Sequence, residues 1–184
     1  YDYIPITDKI LGLAIADVSG HGLPAALQVR DIYMGLRMGM ARDFKIVRTV
    51  ERLNQIIHKS TLTSRFVSMF YGELEPNGVF IYVNAGHPAP FHLSATGDVR
   101  NLDEGGPVLG PLAEATYERG FIRLNPGDMV VLYTDGMIEA TPAASDGGEE
   151  FGIERLVEIA RRLAGRSSKE IAEAMLKAVE IYRG

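Results

Sequence analysis

The chain has 184 residues, with 19 Lys and Arg against 24 Asp and Glu (net charge −5), 46% hydrophobic and 23% charged residues, and no cysteine. The lack of cysteine excludes disulfides, thiolate zinc sites and cysteine nucleophiles, and the acidic balance argues against a nucleic-acid partner, which calls for a basic patch or stripe. No apolar run reaches the ~20 residues that span a bilayer and no signal peptide opens the chain, so the expectation is a cytoplasmic, globular single domain (residues 1–184) without membrane contact.

In chain order, Ile10-Leu11-Gly12-Leu13-Ala14-Ile15-Ala16 reads as a buried strand that ends at Asp17. Asp17-Val18-Ser19-Gly20-His21-Gly22 is a glycine-flexed turn, and Leu23-Pro24-Ala25-Ala26 opens a helix with Pro in its first turn. Ala26, Val29, Tyr33, Leu36 and Met40 step by three and four along one helix face, and Ile46, Val50, Leu53 and Ile57 repeat the pattern after a break at Asp43-Phe44. An antiparallel helix pair is expected, with Met34, Met38 and Met40 read as core. Three hairpins follow: Phe66–Glu75 with Val79–Asn84 around Pro76-Asn77-Gly78, Pro90–Ser94 with Asp98–Leu102 around Ala95-Thr96-Gly97, and Tyr117–Leu124 with Met129–Thr134 around Asn125-Pro126-Gly127-Asp128. Short strands joined by tight turns predict antiparallel sheet. Thr141–Glu150, rich in Ala, Gly, Ser, Pro and acids, is expected to be a mobile loop. Ile153, Leu156, Ala160 and Leu163 then mark one helix, Ser167-Ser168-Lys169-Glu170 fits a capping box, and Ile171, Met175, Ala178 and Tyr182 mark the last helix. The order strand, two helices, many strands, two helices predicts a layered α+β sandwich.

The chemistry concentrates at two aspartates. Asp17 and Asp135, the latter in Val130-Val131-Leu132-Tyr133-Thr134-Asp135-Gly136, each follow an apolar run and each precede a glycine-bearing turn. Either alone could simply start a turn. Together they suggest one oxygen-liganded divalent-metal site, for which Mg²⁺ or Mn²⁺ suits better than zinc. Asp17, Ser19 and His21 hold the letters of a hydrolase triad, but three residues within five positions do not converge in the required geometry. His21 reads as a turn-stabilising hydrogen-bond partner, with a general acid beside the metal as the sharper alternative. In Asn84-Ala85-Gly86-His87-Pro88-Ala89-Pro90, His87 reads as a hydrogen-bonded corner residue in preference to a metal ligand. Gly105-Gly106-Pro107-Val108-Leu109-Gly110 lacks the Lys and following helix of a phosphate loop and reads as a strand connector.

With Tyr1-Asp2-Tyr3, Tyr133-Thr134-Asp135-Gly136-Met137-Ile138-Glu139-Ala140 and Glu150-Phe151-Gly152 added to these motifs, the chain resembles, nearly end to end, the PPM (protein phosphatase 2C-like) family of metal-dependent serine/threonine phosphatases, in its bacterial RsbU/SpoIIE-like branch. The resemblance implies a four-layer α/β/β/α sandwich, two antiparallel sheets flanked by helix pairs, with two Mn²⁺ or Mg²⁺ ions at one end. By position, Asp17 would bridge the ions, the Val18 carbonyl would add a ligand and Asp135 would bind one ion. The implied reaction is hydrolysis of phosphoserine or phosphothreonine on a protein by a metal-activated water, without a phosphoenzyme. The implied partner is a phosphorylated regulatory protein of the anti-sigma-factor-antagonist type, with a sensor domain or activator upstream. The family pattern places further ligand aspartates before Tyr1 and beyond Gly184, so the chain is expected to lack the domain's first and last strands and to bind metal weakly. The alternative is a non-catalytic binding module of the same fold, holding a partner through the helix pair of residues 23–62.

Overall fold

A computed structural model describes residues 1–40, 45–60, 66–143 and 148–184. The expected break at Asp43-Phe44 lies outside these residues, as does part of the Thr141–Glu150 loop (144–147). The elements are β1 (Asp2–Pro5), β2 (Leu11–Val18), α1 (Leu23–Met40), α2 (Ile46–Ser60), β3 (Val67–Leu74), β4 (Val79–Ala85), β5 (Phe91–Leu93), β6 (Val99–Asn101), β7 (Gly105–Gly106), β8 (Gly120–Arg123), β9 (Met129–Val131), α3 (Asp135–Ile138), α4 (Gly152–Arg162) and α5 (Ser168–Arg183). They fall into two compact units, one of residues 1–89 and 102–124, the other of residues 90–101 and 125–184.

The first unit holds a six-stranded sheet in the order β1-β2-β3-β4-β7, with β8 also on β4. Asp2–Pro5, a stretch the sequence reading assigned to no strand, forms β1 against residues 11–14 of β2. Alternation along β2 and β3 sends Ala14, Ala16, Val18, Val67, Met69 and Tyr71 to one face, where they pack with Ile32 and Leu36 of α1 and Val50, Leu53 and Ile57 of α2. The opposite face carries Phe70, Phe80 and Tyr82, whose ring centroids lie 5.3–6.2 Å apart. Gly72 makes room for them, since a Cβ there would meet the Phe80 ring at 2.3 Å. Likewise a Cβ at Gly35 would meet Leu53 at 2.6 Å, so glycine allows α1 and α2 to approach.

Two expectations need correction here. Among the described side chains of α1, Gln28, Ile32 and Leu36 are buried, whereas Val29, Tyr33, Met34 and Met38 are exposed. Of the predicted stripe, Leu36 therefore faces the core and Val29 and Tyr33 do not, and Met34 and Met38 are not core; the Met40 side chain lies outside the described ones. Apolar residues surround much of this helix, and a stripe therefore cannot be picked out by counting apolar residues. The sheet is also not wholly antiparallel, because β7 pairs parallel to β4 through Asn84↔Gly105 and Ala85↔Gly106. Gly105 permits this approach: any Cβ there would collide with the backbone of Asn84.

The second unit holds a three-stranded antiparallel sheet, β6-β5-β9. The third predicted hairpin does not form, since β8 joins β4 and β9 joins β5. Asp128 explains why. Its buried carboxylate accepts hydrogen bonds from the Asn125 amide (2.9 Å), the Ala95 amide (2.9 Å) and His92 Nε2 (3.1 Å), which binds the 125–128 turn to the β5–β6 hairpin. These backbone donors, with His92 adding to them against the opposing effect of burial, hold the Asp128 carboxyl down at about 2. Phe91, Leu93, Tyr133, Phe151, Leu156, Ile159, Ile171, Met175 and Val179 form this unit's core. The capping box appears as expected: the Ser167 hydroxyl accepts from the Glu170 amide, and Glu170 accepts from the Ser167 amide.

Candidate active site

Asp17 stands one residue from the end of β2, fixed by an eight-residue ladder against β3. Its side chain is exposed and makes no hydrogen bond among the described residues. By alternation it belongs to the sheet face opposite the helix-covered core, and its cross-strand partner on that face is Ser68. Next to it, Val67 uses both backbone groups on Leu109 (Val67 N–H to Leu109 O 3.0 Å, Leu109 N–H to Val67 O 2.8 Å). The Val18↔Val67 pair is therefore a non-hydrogen-bonded one, and the Val18 carbonyl points away from β3. It points toward the edge where β1 pairs only as far as Ala14. A carboxylate and an edge carbonyl thus emerge from consecutive residues of one rigid strand.

The turn that follows is shaped by glycine and serine. Gly20 (φ +94°) and Gly22 (φ +78°) adopt left-handed backbone that a side chain disfavours. Ser19 extends the ladder by one step: its amide donates to the Phe66 carbonyl (3.0 Å), and its hydroxyl accepts from the Phe66 amide (2.8 Å). That hydroxyl is committed to the turn, which agrees with rejecting it as a nucleophile. His21 does not play its expected part, because its ring is exposed and makes no hydrogen bond among the described residues. Ser19 and the two glycines set the turn without it.

Asp135 is delivered differently from the strand end that the sequence suggested. β9 stops at Val131, Tyr133 is buried, and Thr134 is the extended N-cap residue of the short helix α3, which Asp135 opens. The Thr134 carbonyl accepts from the Met137 amide (3.1 Å), which pulls the chain out of the strand and into a helical turn. Asp135 Oδ1 accepts from the Gly136 amide at 2.7 Å. The carboxylate is exposed, in the first turn of its helix, where negative charge is favourable.

The donors at these positions are hard oxygens, the chemistry that suits Mg²⁺ or Mn²⁺. Among the described residues, no three His, Cys, Asp or Glu side chains form a metal-ligand group. Asp2, the match to the family's opening motif, is engaged elsewhere: its Oδ2 accepts from Arg37 of α1 at 3.1 Å. His87 is the corner residue that was expected. It is buried, its amide donates to Asn84 Oδ1 (2.8 Å), and its carbonyl accepts from Asn84 Nδ2 (3.0 Å). Its contact with Ser68, Oγ to Nδ1 at 3.0 Å, could not be read from the sequence. The signal for it was a serine among the apolar residues that open the strand.

The arrangement of sheets and helices is that of PP2C-type phosphatase domains. It superimposes over 100% of this chain on the RsbU and RsbW domains of Rv1364c from Mycobacterium tuberculosis (TM-score 0.82, 27% identity, 50% of that chain). It does so equally on the SiaA-PP2C domain of Pseudomonas aeruginosa (TM-score 0.83, 19% identity, 73% of that chain). Residues 7–183 match the family model of Stage II sporulation protein E (SpoIIE), and the chain belongs to that family. Among curated proteins it is 31% identical to phosphoserine phosphatase RsbU of Bacillus subtilis, over 76% of this chain and 42% of that protein. It is 28% identical to Protein IcfG of Synechocystis, over 86% of this chain and 29% of that protein. The chain thus spans less than half the length of these two relatives. No helix among the described residues is long and apolar enough to cross a membrane.

Proposed function

We propose that this domain is a metal-dependent protein phosphatase that hydrolyses phosphoserine or phosphothreonine. The carrying observation is the Asp17-Val18 strand end, where an exposed carboxylate without a hydrogen bond among the described residues adjoins an edge carbonyl, in a chain of the SpoIIE family. Asp17 and the Val18 carbonyl are the metal ligands proposed from the first unit, and Asp135 is the one from the second. Bound Mn²⁺ or Mg²⁺ would acidify a water and stabilise charge on the phosphoryl oxygens. The chain's own contribution is to hold the Asp17 carboxylate and the Val18 carbonyl at the end of a paired strand, followed by a turn that Gly20 and Gly22 make through left-handed backbone. The committed Ser19 hydroxyl supports attack by water without a phosphoenzyme. A phosphorylated regulatory protein of the anti-sigma-factor-antagonist type is the proposed substrate, in line with the likeness to RsbU, and the cytoplasm is the proposed setting.

The test is Mn²⁺-dependent phosphate release from a phosphoserine protein and from p-nitrophenyl phosphate. Activity no greater than that of Asp17→Asn and Asp135→Asn would sink the reading. A non-catalytic binding module is the second reading, favoured by the lack of a three-residue ligand group among the described residues. Phosphate release separates the two, and calorimetry that finds no Mn²⁺ uptake would favour the module.

A further inference from the structure

Asn84 and His87 fully account for their own corner. Asn84 exchanges two hydrogen bonds with the His87 backbone and donates a third to the Leu102 carbonyl at 3.3 Å. The corner does not account for Ser68. On its sheet face β2 and β3 otherwise place Ile15 and Phe70, and Phe70 stacks with Tyr82 and Phe80 from β4. The Ser68 hydroxyl stands at the end of this aromatic cluster, directly across the ladder from Asp17. Cross-strand partners have their Cβ atoms roughly 4.5–5.5 Å apart on the same side of the sheet. The Ser68 hydroxyl is held by His87 Nδ1, so its rotor is not free. Both groups lie in the first unit, on adjacent strands of one sheet.

We infer that Asn84, His87 and Ser68 form a positioning relay that orients the Asp17 carboxylate for its metal. Asn84 fixes the His87 backbone, His87 Nδ1 fixes the Ser68 hydroxyl, and Ser68, which makes no direct hydrogen bond to Asp17, steers that carboxylate through one bridging water. Carboxylate ligands depend on such outer partners, whose loss typically costs about 10–100-fold in metal affinity or activity. Among the described residues Asp17 has no hydrogen-bond partner, and Ser68, its cross-strand neighbour, is the side chain best placed to orient it. Ser68 is a positioning residue and not a catalytic one. The inference rests on the phosphatase reading for the identity of the bound ion, but not for the effect on ion affinity.

The experiment measures Mn²⁺ affinity by calorimetry, and kcat and KM on p-nitrophenyl phosphate, for wild type, Ser68→Ala, Ser68→Thr, His87→Ala and His87→Asn. Thermal melts select the variants that fold. Ser68→Ala is expected to weaken Mn²⁺ binding about 10–100-fold and to lower kcat with little change in KM. Ser68→Thr restores the hydroxyl and should recover most of the loss. His87→Asn keeps a polar atom near the Nδ1 position and should outperform His87→Ala. Unchanged Mn²⁺ affinity and kcat in folded Ser68→Ala would overturn the relay while leaving the phosphatase intact. A wild type that binds Mn²⁺ without hydrolysing phosphoesters would overturn the phosphatase, and the affinity series would still decide the relay. A wild type that binds no Mn²⁺ overturns both.

Discussion

The two aspartates singled out by the sequence are held by opposite means. Asp17 sits near the end of a long ladder, its backbone paired with β3 and its carboxylate without a hydrogen bond of its own among the described residues. Asp135 opens a four-residue helix, and one of its oxygens is already taken by the Gly136 amide. The first depends on a neighbouring strand for its setting, and the second is set by its own turn. Similar sequence contexts, an apolar run, then Asp, then a turn with glycine, thus reach the surface through different local physics. The turn's hydrogen bonds make the difference, and these do not show in hydrophobic periodicity.

The largest expected effect tests this contrast at the chemistry. Asp17→Asn should lower phosphatase activity on the order of 10²–10³-fold, the scale of several kcal/mol of metal-based charge stabilisation. Asp135→Asn should cost less, about 10–100-fold, because the amide oxygen can still accept from Gly136. Equal losses in steady-state assays would break the comparison. Asp128→Ala leaves the Asn125 and Ala95 amides and His92 without their acceptor and should destabilise the protein by roughly 2–3 kcal/mol in denaturant titrations. Its pH signature is specific. The folded carboxyl titrates at about 2, below the ordinary value of 3.8, so its stabilisation is complete above about pH 4 and is lost as pH falls toward 2. Asp128→Asn should flatten that acid limb.

Smaller effects test the turns themselves. Gly20→Ala places a side chain at φ +94° and should cost about 1–2 kcal/mol in thermal melts, with activity falling alongside. Gly136→Ala meets open space, and Gly136 has no left-handed φ, so its stability should change by less than about 1 kcal/mol, in the direction of a gain. If both substitutions behaved alike, the two turns would be equivalent after all.

Much of the fold was legible where one property dominated. The period of Ile46, Val50, Leu53 and Ile57 found α2, and the Ser167–Glu170 box found the start of α5, because amphipathic spacing and capping act locally. α1 and the inward position of Leu36 were legible, but its full core face was not, because Val29, Tyr33, Met34 and Met38 imitate a core stripe while a buried Gln28 occupies the true one. The third hairpin failed because the turn residue Asp128 answers to Ala95 and His92, which lie more than thirty positions away. The parallel β7 was hidden because two glycines carry no strand signal and earn their place by a close backbone approach. At the site, Asp17 and Asp135 were visible from their apolar lead-ins. Ser68 was not, because its meaning comes from a register partner about fifty residues away.

The way the chain passes between the two units also constrains its synthesis. Residues 90–101 belong to the second unit but are made before residues 102–124 of the first. β4 therefore waits, with its edge unpaired, while the β5–β6 hairpin is made, and receives β7 and β8 only afterwards. Until β9 follows, that hairpin lacks its third strand. On the ribosome, each unit is thus left with an open sheet edge while part of the other is being made. Arrested nascent chains with residues up to about 101 outside the ribosome should be the most aggregation-prone, and those with residues past 131 outside should be less so.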